Sequence, residues 1–215
     1  MPHKIEYFYS THSAYAYLGS KRLMEICAAH DCQLVHRPFN LSPVVEHSGG
    51  QPFAGRSQAH VDYFFGREIE RWAAFRDVPI IDYRPTYHDN PLQLSSGVVI
   101  AADHLGLDTN RIAQALLQAH WRDDIDLADS AHLSKTIREI GFDPAPLLQA
   151  ALTPEVQAVF AKNTKTALDL NLFGSPTYIL NGDPYYGQDH LELLEYALQK
   201  PFPLYQFKNP AVDSA

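Results

Sequence analysis

The chain has 215 residues, 46% of them hydrophobic, 12% aromatic and 20% charged, and a formal net charge of −8. That length and apolar content suffice for a full core, while the acidic balance and the lack of a basic run exclude a phosphate-backbone partner. No apolar run reaches the ~20 residues of a membrane helix, and Met1-Pro2-His3-Lys4 leads straight into an apolar segment with no room for a signal peptide. A cytoplasmic location, with neither nucleic acid nor membrane as partner, is the expectation.

Ile5-Glu6-Tyr7-Phe8-Tyr9 reads as a buried first strand, and Ser10-Thr11-His12-Ser13 as a short polar turn. Ala14 opens a helix that runs to about Ala29, with apolar residues at helical spacing. Gln33 to Pro38 alternates and stops at proline, as a strand end does. Residues 41 to 58, rich in proline and glycine, read as a long loop. A helix over 58–74 carries Val61, Phe64, Phe65, Ile69 and Trp72 on one apolar stripe. Irregular chain follows to Asn90.

Further helices are expected over 93–105, 108–122, 130–140 and 143–152, closing at Gly106 and Gly141 where glycine follows. Another starts at Thr153-Pro154-Glu155, a cap followed by proline at the first helical position and a first-turn acid. The chain then returns to strands. Thr177 to Leu180 and Pro184 to Gly187 flank Asn181-Gly182, a strong hairpin signal. A closing helix over 189–198 has Asp189 at its start as cap. The proline- and aromatic-rich tail from Lys200 is expected to lie on the surface.

The order is therefore βαβ, a helical block, then ββα. This α/β pattern is a thioredoxin-like fold split by an all-helical insertion: residues 1–57 and 172–215 form the thioredoxin-like domain, and 58–171 the insertion. A thioredoxin places C-x-x-C at the first strand–helix turn. Here that turn holds no cysteine, and Ser13 stands at the helix entry. The first amides of a helix lack partners and favour an anion in front of them. A bound thiolate there would have its pKa lowered, and the Ser13 hydroxyl can donate to sulfur. Ser13 also suits a plain N-cap, and the two roles are compatible.

Ser175-Pro176, just before a late strand, is the second candidate element. X-Pro bonds are usually trans, but the thioredoxin-like order around this one leads us to expect cis. That would present the Ser175 backbone to a peptide ligand. Gly187-Gln188-Asp189-His190 is the third: a glycine turn at a helix start, where Asp189 either caps the helix or receives an ammonium group. The two cysteines, Cys27 and Cys32, flank a helix-to-strand turn beside Asp31 and read as small packed residues rather than a redox pair. The eleven histidines are scattered along the chain with no H-E-x-x-H pattern, so no metal site is expected. His12 reads as a surface or substrate-contacting residue.

Phe8 to Leu18, Arg37-Pro38-Phe39, Arg67 to Trp72, Gly174-Ser175-Pro176-Thr177 and Tyr186-Gly187-Gln188-Asp189 together resemble the kappa-class glutathione transferases and the 2-hydroxychromene-2-carboxylate isomerases. The match runs in order from residue 5 to about 199. The resemblance implies glutathione as cofactor, with Ser13 activating its sulfur. It implies that Ser175, beside Pro176, pairs with the cysteinyl backbone and that Gln188 and Asp189 hold the γ-glutamyl end. Tyr15 and Gly50 complete the implied binding set.

The chain departs from the family pattern in having Ala14 where proline is usual. It also has Gly50 where an asparagine contacts glutathione, with Gln51 next to it as a substitute. The activity implied is glutathione-dependent isomerisation of a small aromatic substrate of the 2-hydroxychromene-2-carboxylate type, in a homodimer. A kappa-like transferase shares the same set of residues. A non-catalytic thiol- or peptide-binding module is the reading from a different class.

Overall fold

The computed structural model describes residues 3–203 and 207–210; part of the tail expected on the surface thus lies outside the described residues. Four strands form one sheet in the order β2-β1-β3-β4. Strand β1 (Lys4–Tyr9) pairs in parallel with β2 (Gln33–Pro38) through the crossover helix α1 (Ala14–Ala29). It also pairs antiparallel with β3 (Thr177–Leu180), which turns back into β4 (Asp183–Tyr186). The hairpin turn takes positive φ at Asn181 (54°) and Gly182 (86°), as a tight two-residue hairpin turn requires.

The interior strands are apolar on both faces because both faces are covered. Ile5, Tyr7 and Tyr9 pack with Tyr178, Leu180, Leu18, Leu23 and Leu194 in the main core. Phe8 and Ile179 point the other way, into a second cluster with Phe39, Val44, Ala167 and Leu172.

Five of the helices between β2 and β3 follow the sequence reading closely. They are α5 (Gln93–His104), α6 (Thr109–Trp121), α7 (Ser130–Glu139), α8 (Pro144–Ala151) and α9 (Pro154–Asp169). Asp108, Asp129, Asp143 and Thr153 cap the last four. Helix α5 is the hub: Leu94 through Ala102 are all buried. Residues of α5, α6, α7 and α8 share one continuous apolar core with the sheet.

Three expectations are corrected. The stretch after β2 is not all loop, because Leu41–His47 forms helix α2. Pro43 falls in its first turn, where the missing N–H costs nothing, and burial of Val44 and Val45 holds the helix down. The helix over 58–74 is not one regular α-helix. It runs as α3 (Gln58–His60), a π-helical segment Val61–Arg67, and α4 (Glu68–Arg76). The π geometry breaks the predicted stripe, so that of this stretch only Ile69 and Ala73 are buried. Finally, Asp189 caps nothing. The chain forms a 3-10 turn, Gln188–His190, before α10 (Leu191–Gln199), and neither start has a side-chain cap.

No helix is long and apolar enough to cross a membrane among the described residues.

Candidate active site at the Ser13 turn

The turn 10–13 sits where the parallel edge of β1 delivers the chain to α1. Ser10, Thr11, His12 and Ser13 are all buried, and each is tied down by a different element. Ser10 N–H donates to Ser175 Oγ at 3.0 Å. Thr11 Oγ1 and Ser95 Oγ of the hub helix share a 2.7 Å hydrogen bond. The Trp121 indole donates to His12 O at 2.9 Å. Ser13 is the N-cap: its Oγ accepts from Ala16 N–H at 3.2 Å. Its proton remains available and points to Ser175 O at 3.3 Å. That bond is long for O–H···O, so the proton is easily redirected to a better acceptor. The amides of Ala14 and Tyr15 take no partner at this helix start among the described residues.

The Ser175-Pro176 bond is cis, as expected from the order of elements. The β3 entrance and the α1 entrance are therefore joined by two Ser175 contacts, one to Ser10 and one to Ser13. Gly187, at φ +95°, donates to Pro176 O at 2.8 Å. A Cβ there would come within 2.2 Å of Asp189 Oδ1. The Asp189 carboxylate thus folds back over Gly187, with its side chain 53% exposed and free of any capping duty.

Gln188 differs from its expected role. Its side chain is buried under α1, where a Cβ on Gly19 would come within 2.6 Å of Gln188 Cβ. Its Oε1 accepts from Arg76 Nε at 3.1 Å. Its backbone carbonyl accepts from Arg76 as well, at 3.1 Å. Gly50 sits against α2, its N–H donating to Val45 O at 3.0 Å, and a Cβ would come within 2.9 Å of Val45. The neighbouring Gln51 side chain is engaged with Gly55 O. No hydrogen bond links either residue to the Ser13–Ser175 pair among the described residues.

Tyr15 reaches toward the π segment. Its hydroxyl donates to Phe64 O at 2.5 Å, and its ring lies 5.0 Å from that of Phe64. Burial pushes its pKa up, and the nearby Glu68 carboxylate adds to this. Phe64 packs on Phe65 at 5.1 Å, and Arg56 lies 4.2 Å over Phe53 and 5.0 Å over Phe65. An aromatic wall carrying one guanidinium thus begins at the second residue of α1. The Arg67 to Trp72 motif carries the surface ion pairs Arg67–Glu70 and Arg71–Glu68 and buries Ile69 in the core.

The cysteines play no part at the turn. Both are free, and burial pushes the Cys27 thiol up to about 12. Cys32 is also raised, by burial and then by the adjacent Asp31 charge.

The histidines are not scattered in space. His12, His88 and His120 gather behind Ser13, with one ring nitrogen of each within 4.8 Å of the others. His12 is buried, not at the surface. Burial lowers all three pKa values, His88 to about 4 and His120 to about 3, so the cluster is neutral at pH 7. Sequence spacing gave no sign of this, because the three come from a turn, a loop and a helix end far apart in the chain. Arg76 was also missed. It is 8% exposed and clamps Gln188 and Glu192, fixing the end of α4 to the start of α10.

Comparison with known proteins places the chain by sequence and by fold. The chain is 20% identical over 195 residues to a 2-hydroxychromene-2-carboxylate isomerase of Sphingobium xenophagum, covering 91% of this chain and 97% of that protein. It is 25% identical over 211 residues to glutathione S-transferase kappa 1 of Rattus norvegicus, covering 92% and 91%. A solved 2-hydroxychromene-2-carboxylate isomerase superposes with a TM-score of 0.73 at 19% identity, over 92% of this chain and 95% of that one. Residues 4–199 match the family described as DSBA-like thioredoxin domain, and the chain belongs to that family.

Proposed function

We propose that this protein is a glutathione-dependent isomerase of small aromatic compounds of the 2-hydroxychromene-2-carboxylate type. The observation that carries the reading is the Ser13 hydroxyl at the start of α1, 3.3 Å from the carbonyl of a residue in a cis X-Pro bond, where a redox enzyme would hold cysteine. The residues present fit glutathione. The Ser175 backbone beside Pro176 offers strand-like pairing to a cysteinyl unit. Asp189, uncapped and half-exposed, offers a carboxylate to an α-ammonium group. When bound, glutathione supplies a thiolate that adds reversibly to a conjugated carbon.

Ser13 has the other part of the chemistry. Its proton leaves Ser175 O for the sulfur, while Ala16 N–H keeps its oxygen in place. With the two spare amides and the helix dipole, this favours the thiolate over the thiol. The wall of Tyr15, Phe64 and Phe65 suits an aromatic ring, and Arg56 suits its carboxylate. Free cysteines and a glutathione cofactor fit a reducing cytoplasm, and a homodimer belongs to the same reading. The kappa relative supports a second reading, transfer, which needs the same residues and differs only in consuming thiol.

The test is an assay of cis–trans equilibration of a conjugated aromatic 2-oxo acid with and without glutathione. The expected result is glutathione-dependent turnover without net thiol loss. Ser13→Ala should slow it on the order of ten- to a hundred-fold, the weight of one hydrogen bond to a charged group. Steady thiol loss would establish transfer instead. Tight glutathione binding without turnover of such substrates would leave a binding module.

A further inference from the structure

We propose that His12, His88 and His120 form a binding site for one divalent transition-metal ion of the zinc class, which fastens the Ser13 turn to the helical block. The three come from the turn before α1, the loop before α5 and the end of α6, places that the Trp121–His12 and Asn90–Asp126 hydrogen bonds also hold together. Their ring nitrogens lie within 4.8 Å of one another.

Hydrogen bonds set the tautomers. His12 Nδ1–H donates to His88 O at 3.0 Å, because a carbonyl can only accept. His120 Nδ1–H donates to Ile125 O at 3.2 Å for the same reason. With Nδ1 protonated in each, the neutral ring carries its lone pair on Nε2, the orientation that carbonyl partners impose on metal-bound histidines. His120 Nε2 accepts from His88 Nδ1–H at 3.0 Å. His12 Nε2 is buried and has no hydrogen-bond partner among the described residues, the residue being 5% exposed. A buried lone pair left unpaired calls for an occupant.

The donor set selects the class of ion. Three imidazoles with no thiolate suit zinc, cobalt, nickel or copper rather than magnesium or calcium. Two ligands on a tetrahedral zinc lie roughly 3.3 Å apart, given bonds near 2.0–2.1 Å, and His88 and His120 already stand at 3.0 Å. Two adjustments complete the set. The His88 proton moves to its Nε2, freeing Nδ1. The His12 ring, now stacked on His120 at 4.3 Å with 12° between planes, turns about its Cβ–Cγ bond so that Nε2 faces the same point. Asp126 and Asp89 favour a positive charge at His12, while Arg84, ion-paired with Asp89, opposes it. Trp121 walls the cluster, its ring 5.4 Å from His88. His88 is half-buried and gives the ion its way in. The site lies behind Ser13, so its role is to stiffen the turn rather than to touch substrate.

The experiment uses the untagged, metal-stripped full chain, titrated with cobalt(II) and followed by its visible absorption, and with zinc(II) followed by calorimetry and melting temperature. The expected result is one ion per chain, a tetrahedral cobalt spectrum and a raised melting temperature. His88→Ala, at the edge of the cluster where folding is least at risk, should weaken binding at least about tenfold. His120→Asn should do the same, while His104→Ala outside the cluster leaves binding unchanged. Circular dichroism checks that each variant folds. No saturable binding, or binding equal in His88→Ala and the parent chain, would overturn the proposal and assign His12 Nε2 to a buried water.

Discussion

At the scale of single residues, Ser13, Ser175 and Asp189 are placed by backbone features more than by one another. Ser13 is held by its capping bond to Ala16, Ser175 by the chain that leads into β3, and Asp189 by the left-handed turn at Gly187. Asp189→Asn keeps the shape and removes the charge, so glutathione affinity should fall on the order of tenfold. Cysteinylglycine, which lacks the γ-glutamyl ammonium group, should bind the variant and the parent alike in a competition assay. Equal losses for both ligands would remove Asp189 from the γ-glutamyl site. Ser13 and Ser175 were legible in the sequence because helix entry and X-Pro-Thr before a strand are local signals. The engagement of Gln188 with Arg76 was not, since it joins residues 112 apart in the chain. Nor was the release of Asp189 from capping, which depends on a 3-10 turn one residue long in its effect.

At the scale of elements, the helical block is organised around α5, and its closest crossing is with α8. A Cβ on Gly97 would lie 2.1 Å from Ala151 O, a backbone atom that cannot step aside without moving the helix. Gly97→Ala should therefore cost about 1–3 kcal/mol despite its better helix propensity. Thermal melting should show this at about 2–4 °C per kcal/mol for a chain of this size. Gly66→Ala in the π segment, with nothing within 4 Å, should be neutral.

The Thr153 cap of α9 and the glycines that close α5 and α7 were legible because each is a local pattern. Helix α2 was hidden by its proline and the glycines after it, since only burial of Val44 and Val45 against Phe8's side of the sheet makes it form. The π segment was hidden because a repeat near 3.6 fits its apolar residues just as well. Its wider turn leaves Phe64 O for Tyr15, and that bond joins the aromatic wall to the start of α1.

At the scale of the whole molecule, sheet and helical block share one apolar core and are joined across β2 by a half-buried polar link. Tyr9 O–H donates to His36 Nδ1 at 3.0 Å, and His36 Nε2–H donates to Asn110 Oδ1 at 2.8 Å. Burial lowers the His36 pKa to about 4. A lowered histidine is neutral when folded, whereas the unfolded chain takes up a proton near 6.5. Its stabilising contribution is thus complete above pH 6.5 and is lost as pH falls toward 4, amounting to about 3 kcal/mol. Urea unfolding from pH 7 to 4 should show that loss added to those from His12, His88 and His120, whose pKa values burial also lowers, and His36→Gln should make the dependence shallower by the His36 share alone. An unchanged slope would mean that His36 is already protonated in the folded chain.

The fold also explains why the cysteines are silent. They lie at the far end of α1 from Ser13, and a sixteen-residue helix spans roughly 24 Å at 1.5 Å per residue. On the proposed reading, thiol chemistry depends on a thiol brought to Ser13. The most direct test is the ultraviolet titration of the glutathione thiolate bound to the protein. The account predicts a thiol pKa well below that of free glutathione, rising by about one to two pH units in Ser13→Ala. A bound thiol that titrates like the free one, or a depressed value that Ser13→Ala leaves untouched, would contradict it.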